Sequence, residues 1–230
     1  DHVGCLRNAL THGYVPKTHS CKFACEDGAL DMLRVLLEFN CTVDQSCVSA
    51  ATQAGHLDCL MFLHEIGCPW GDETTTVAAL AGKLDCLRYA ISHNCATSKD
   101  ILLHAARRNH LHILQYLIEE QSMYMDENTA LFEAAFDRFH LESVMYLIDI
   151  GCPFVDFQFF WLSALQPLDD ARFLKCIVYA VEHGWRNPAS LIPALNRVVH
   201  ALPECSRYLS ELCDEDAGKG EVGRYSLFVT

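Results

Sequence analysis

Positive charge is scarce in this chain. Its 17 Lys and Arg stand against 30 Asp and Glu, leaving a net charge of −13. Such a chain repels phosphate backbones and anionic lipid headgroups, so neither a nucleic acid nor a membrane surface is an expected partner. Long apolar runs are missing too. No stretch approaches the roughly 20 residues that would span a bilayer. The sequence opens on Asp1 without a signal-peptide pattern, which points to processing or an excised domain. The signatures of catalysis are also absent. There is no Gly-rich phosphate loop, no Gly-x-Ser-x-Gly and no His-Glu-x-x-His. The carboxylates sit mostly at helix starts or in loops. Neither an enzyme nor a cofactor is therefore expected. Nor is there strand-like alternation of any length.

What the chain does have is apolar mass, with 51% hydrophobic and only 20% charged residues, enough for a substantial core. It also has internal repetition. An apolar residue after a turn recurs as Val3, Leu30, Leu57, Leu84, Leu111, Leu141 and Leu174, at intervals of 27, 27, 27, 27, 30 and 33. A weaker eighth copy aligns at Pro203. The stretch Ala51–Trp70 shows the unit most clearly. A short first helix carries a small residue at one position, as Ala24, Ala51, Ala78, Ala105 and Ala135. Gly28, Gly55 and Gly82 then supply the positive φ that ends a helix, and Asn109 replaces the fourth. Phe139 departs from the pattern. The second helix is amphipathic. Leu33, Leu60, Leu87, Leu114 and Val144 share one position, and Leu36, Leu63, Ala90, Leu117 and Leu147 another. Asp31, Asp58, Asp85 and Glu142 fall in its first turn, where an acid complements the helix dipole. Asn40, Gly67, Asn94, Gly151 and Gly184 end it. Stacked copies would bury one another's faces, so the expectation is an all-α solenoid held by nearest-neighbour contacts.

These residues resemble the ankyrin repeat, with its small residues in the first helix, the Gly-His-Leu-acid turn and a Leu-rich second helix ending in Gly. The resemblance covers roughly residues 1–213. The usual period is about 33, so each unit here lacks about six residues, and the Thr-Pro-Leu-His opening is absent. The loss falls in the connecting loop and implies that the β-hairpin is shortened to a tight turn. Residues 1–213 are then one repeat domain, irregular from 152, and the acidic, Gly-rich 214–230 is a flexible tail.

Nine of the 13 cysteines fall into two columns. Cys5, Cys59, Cys86, Cys176 and Cys205 lie on second helices, and Cys41, Cys68, Cys95 and Cys152 follow the terminal Gly or Asn. A thiol every 27 residues does not give four converging zinc ligands. Neighbouring units stack about 10 Å apart, which reads as too far for shared ligation. Cys21, Cys25 and His19 form the best local cluster but lack a fourth ligand. No metal site is expected, and the thiols read as reduced packing residues of a cytoplasmic or nuclear protein. A Cys-based metal or redox sensor is the remaining chemical alternative. His56, His110 and His140 share the post-turn position and read as turn supports, while His64, His104, His112 and His183 read as exposed or capping. Trp70 reads as a plug between neighbouring loops. The five aromatics from Phe154 to Trp161 either fill the space made by an insertion or present a patch.

The resemblance implies a protein–protein interaction scaffold, a monomer that binds a partner on its concave and loop surface. An alternative is the substrate-recruiting module of a larger adaptor, such as a ubiquitin-ligase component. The residues that vary between copies are Gln45, Asp72, Glu73, Lys99, Asp100, Asp126 and Glu127, and with Phe157 and Trp161 they are the candidate partner-binding set. They lean acidic, which calls for a partner of basic character. The same residues also fit plain solvated helix caps.

Overall fold

The computed structural model describes residues 2–17, 19–71, 73–123, 130–136, 140–152, 170–183, 203–204 and 207–208. Every element among them is helical and no strand occurs among them. The chain divides into two compact units, residues 1–120 and 121–230.

The first unit opens with α1 (His2–Thr11), a second-type helix of the repeat. Four helix pairs follow. They are α2 (Ser20–Glu26) with α3 (Leu30–Glu38), α4 (Gln45–Ala54) with α5 (Leu57–Glu65), α6 (Thr74–Ala81) with α7 (Leu84–Ser92), and α8 (Ile101–Arg107) with α9 (Leu111–Gln115). First helices pack in a row, α2 on α4, α4 on α6 and α6 on α8. Among second helices α1 packs on α3 and α5 on α7. In the second unit α10 (Ala130–Phe136) pairs with α11 (Leu141–Asp149), which packs on α12 (Asp170–Glu182).

Both helices of a pair end the same way. The amides of His56, Lys83 and His110 reach the carbonyls of Ala51, Ala78 and Ala105 at 2.9, 2.9 and 3.0 Å. The amides of Cys41, Cys68, Cys95 and Cys152 reach those of Leu36, Leu63, Ala90 and Leu147 at 3.0, 2.9, 3.0 and 2.8 Å. Such bonds, spanning five residues across a left-handed residue, satisfy carbonyls that a helix end would otherwise leave bare. The left-handed residues are those the sequence marks, with Asn40, Asn94 and Asn109 at φ of 61°, 60° and 59°. The two leucine columns form the core. Leu33, Leu60, Leu87, Leu114 and Val144 are wholly inaccessible, as are Leu63, Ala90, Leu117 and Leu147. Each buried aliphatic side chain contributes about 1.5–3 kcal/mol.

The shortened connectors are tied to one another by side chains. The Cys68 thiol donates to the Asp44 carbonyl at 3.4 Å and the Cys95 thiol to that of Gly71 at 3.9 Å. Thr75 Oγ1 donates to the Ala96 carbonyl at 2.6 Å. The sequence places the first irregularity after Gln121, but it starts earlier. Helix α9 runs into a π turn, Tyr116–Glu120. The extra residue shows in the ion pairs of the second helices. Arg7 meets Glu38 across 31 residues, whereas Arg88, in the same repeat column, meets Glu120 across 32.

Candidate functional site

Between α2 and α4 lies a groove of about 390 Å³, lined by Lys22, Glu26, Gln45, Ser46, Ser49, Ala50 and Gln53. Lys22 and Glu26 are one helical turn apart and pair at 3.5 Å. Asp44 precedes these lining residues and caps α4 by accepting from the Ser46 amide at 2.9 Å. Hydrogen bonds from Ser46 hold the Asp44 carboxyl below the usual carboxylate range. Gln45 is exposed at the start of α4, and its amide fills the space a side chain on Gly71 would need.

Of the candidate set, Gln45 thus lines a real groove. Glu73 and Asp100 are exposed at the N-cap positions of α6 and α8, and neither caps its helix through its side chain. Lys99 is exposed beside Asp100. These four mark the starts of three successive first helices rather than one cluster. Asp72, Asp126, Glu127, Phe157 and Trp161 lie outside the described residues, as do the remaining aromatics of 154–161 and all of 214–230. Lys22, Ser49 and Gln53 were not singled out by the sequence reading. Their signal was that they precede the Ala column by one or two residues, or follow it, on the solvent side of first helices.

The histidines need two corrections. His56 and His110 do support turns, but those of the preceding repeat, since their Nε2 atoms donate to the carbonyls of Glu26 and Leu80, both at 3.1 Å. His112 likewise reaches back to the Gly82 carbonyl at 3.1 Å. His64 is neither exposed nor capping. It is half-buried, 4.8 Å from both the Trp70 and His93 rings, with its Nδ1 2.9 Å from the Tyr89 hydroxyl. Trp70 is half-buried in the same cluster, so it plugs the junction of two repeats. The expectation of capping does hold for His183, whose Nδ1 lies 2.8 Å from the Tyr179 carbonyl. An aromatic column went unread, namely Phe62, Tyr89, Tyr116, Tyr146 and Tyr179, each five residues after the register residue. Arginines of the preceding repeat lie over two of its rings, Arg34 at 4.6 Å over Phe62 and Arg88 at 4.3 Å over Tyr116.

Most of the described cysteines are buried. Cys25 of α2 and Cys47 of α4 are both buried on first helices that pack on each other. No group of three or more His, Cys, Asp or Glu among the described residues is placed to hold a metal ion. Burial pushes the Cys68, Cys86 and Cys152 thiols up to about 11, and Cys21 and Cys176 to about 12. Those thiols are inert packing groups.

A profile of ankyrin repeats in three copies matches residues 75–157. Residues 75–157 carry ankyrin repeats. Helices α1–α5, outside the matched span, keep the same register and closures. In fold the chain resembles the human ASB11 ankyrin repeat domain, with a TM-score of 0.54 and 14% identity over 73% of this chain and 86% of that one. No curated protein matches it in sequence. Ankyrin repeats as a class are protein-interaction modules and typically not catalytic. Among the described residues no helix is long and apolar enough to cross a membrane.

Proposed function

We propose that the row of first helices in the unit spanning residues 1–120 binds a partner protein of basic character, seated over the α2–α4 groove and the starts of α6 and α8. The groove carries this reading. It is lined by uncharged hydrogen-bonding side chains and one ion pair, on the row of first helices. The exposed Glu73 and Asp100, in a chain of net charge −13, favour a basic counterpart.

Affinity capture from the native source, followed by titration with the purified partner, tests this. Ser49→Arg or Gln53→Arg, which fill the groove, should weaken binding at least about tenfold, or about 1.4 kcal/mol. Glu73→Lys and Asp100→Lys should slow association at low salt. Arg34→Ser, on a second helix, should change nothing. Unchanged binding by the groove variants, with loss in Arg34→Ser, would move the site to the other face.

A further inference from the structure

The turns that join the two helices of a pair change the sign of their charge along the first unit. Where the first pair closes α2 with the exposed Asp27, the fourth closes α8 with the exposed Arg108. Where the first three pairs start their second helices with Asp31, Asp58 and Asp85, the fourth has His112. In the third pair Lys83 takes the position of His56 and His110. The turns of the third and fourth pairs are tied together. His110 and His112 donate from Nε2 to the carbonyls of Leu80 and Gly82, both at 3.1 Å, with their rings 5.9 Å apart. Those imidazoles take two of the carbonyls at the α6 end. The Lys83 amide takes that of Ala78, and the amides of Arg108 and His110 take that of Ala105. The Lys83 ammonium and the Arg108 guanidinium make no hydrogen bond or ion pair with the described residues, Asp85 included. The Lys83 stem lies along Gly55 and carries its ammonium back over the turn of the second pair. The two cations thus stand between about 10 and 20 Å apart, at about 10 Å for each stacked repeat.

We propose that Lys83 and Arg108 form a cationic edge, across the turns of the third and fourth pairs, that binds an extended acidic segment of a partner protein. Extended chain rises about 3.3 Å per residue, so roughly three to six residues bridge the two cations. One Asp or Glu of such a segment then meets each of them, whereas a single phosphate ion reaches only one. Arg108 offers a carboxylate two parallel N–H donors, and Lys83 offers a point charge. His110 and His112 are positioning residues, since their bonds to Leu80 and Gly82 hold one turn against the next. Nucleic acid fits poorly. Its phosphates continue past the two cations, and along the same edge they meet Asp31, Asp27 and Glu26. The net charge of −13 makes an isolated cationic edge selective, because an acidic segment is repelled elsewhere. This edge lies at the ends of α6 and α8, away from the starts that carry Glu73 and Asp100, and it does not rest on the reading of the α2–α4 groove.

The full chain is titrated, at about 0.1 M salt, with a fluorescent peptide of about six consecutive glutamates, and binding is read by anisotropy. The peptide with glutamine in place of every glutamate is the control. The glutamate peptide should bind and the glutamine peptide should not. Lys83→Met, which keeps the stem on Gly55, and Arg108→Gln should each weaken binding about threefold to tenfold, the range of one charged contact at a surface. Lys22→Met removes the same charge beside the α2–α4 groove and should change nothing. The comparison of the two peptides on the wild-type chain decides the matter even if a variant misfolds. Equal binding of both peptides, or of neither, would overturn the proposal. So would an equal loss in Lys22→Met, or tighter binding of a single-stranded oligonucleotide with the same number of charges.

Discussion

The imidazole of His56 donates from Nε2 to the carbonyl oxygen of Glu26, 3.1 Å away and one repeat back. His110 repeats the contact on Leu80. The acceptors are carbonyls at the ends of α2 and α6, which lack an intrahelical partner. To reach them, each ring lies against the glycine that closes the same helix, His56 over Gly28 and His110 over Gly82. Lys83 lies over Gly55 in the same manner. The glycine therefore answers two demands, its own positive φ and the next repeat's side chain.

That double demand separates two glycine substitutions. Gly28 has φ of 68°, and a Cβ there would meet the His56 ring at Cε1, 2.6 Å away. Gly67 has φ of 77° and nothing within 4 Å of an added Cβ. Gly67→Ala should cost only the left-handed backbone term, about 1–2 kcal/mol. Gly28→Ala should cost more, and the excess should vanish in the double variant with His56→Ala. Denaturant unfolding of the four proteins measures this coupling directly.

Stability should also fall in mild acid through His110. Burial, followed by the positive neighbours His112, Arg108 and Lys83, lowers its pKa below the ordinary 6.5, and the bond to Leu80 opposes them only in part. A folded value below the unfolded one means the unfolded chain binds the proton first. The contribution is thus complete above about pH 6.5 and is lost as pH falls through the lower folded value. His110→Gln keeps an amide donor for the Leu80 carbonyl and does not titrate. Its unfolding free energy should be flatter between pH 7 and pH 5 than that of the wild type, by chemical denaturation at each pH (both limits about one to two units around the histidine range).

Much of this fold was legible because its rules are local. The positive φ of Gly55 or Asn109 and the burial of Leu60 follow from spacing within one unit. What reaches across units was legible only in part. His56 could be placed in a column, but its acceptor lies 30 residues away on a different helix. The π turn at Tyr116 has no sequence mark, since Tyr, Leu, Ile and Glu suit an α-helix as well. In the candidate site, Gln45 was readable as a variable loop residue. Ser49 and Gln53 needed the packing of α2 on α4 to become walls of a groove.

Trp70 gives a test of plug against binding anchor. Its ring is 4.8 Å from His64 of its own repeat and 6.1 Å from Tyr89 of the next. As a plug, Trp70→Ala should lower stability by about 1–3 kcal/mol, less than for a fully buried aromatic. Trp70→Phe should recover most of that. Partner affinity, measured below the unfolding transition, should be unchanged in both. A loss of affinity in Trp70→Phe with stability intact would make Trp70 part of the interface.

Leu60 sits on α5, which packs on α4 within its own pair and on α7 in the next, and no part of its side chain reaches solvent. Leu60→Ala should therefore cost about 2–5 kcal/mol, the range for a core leucine whose cavity collapses only partly. In a stacked array the loss falls on one unit and on the contacts it makes with its two neighbours. Hydrogen exchange should therefore show protection falling most in α4 and α5, and next in α2, α3, α6 and α7. The amides of α9, two repeats away, should change least. Uniform loss of protection across residues 2–120 would mean that this unit unfolds as one cooperative block rather than by neighbouring repeats.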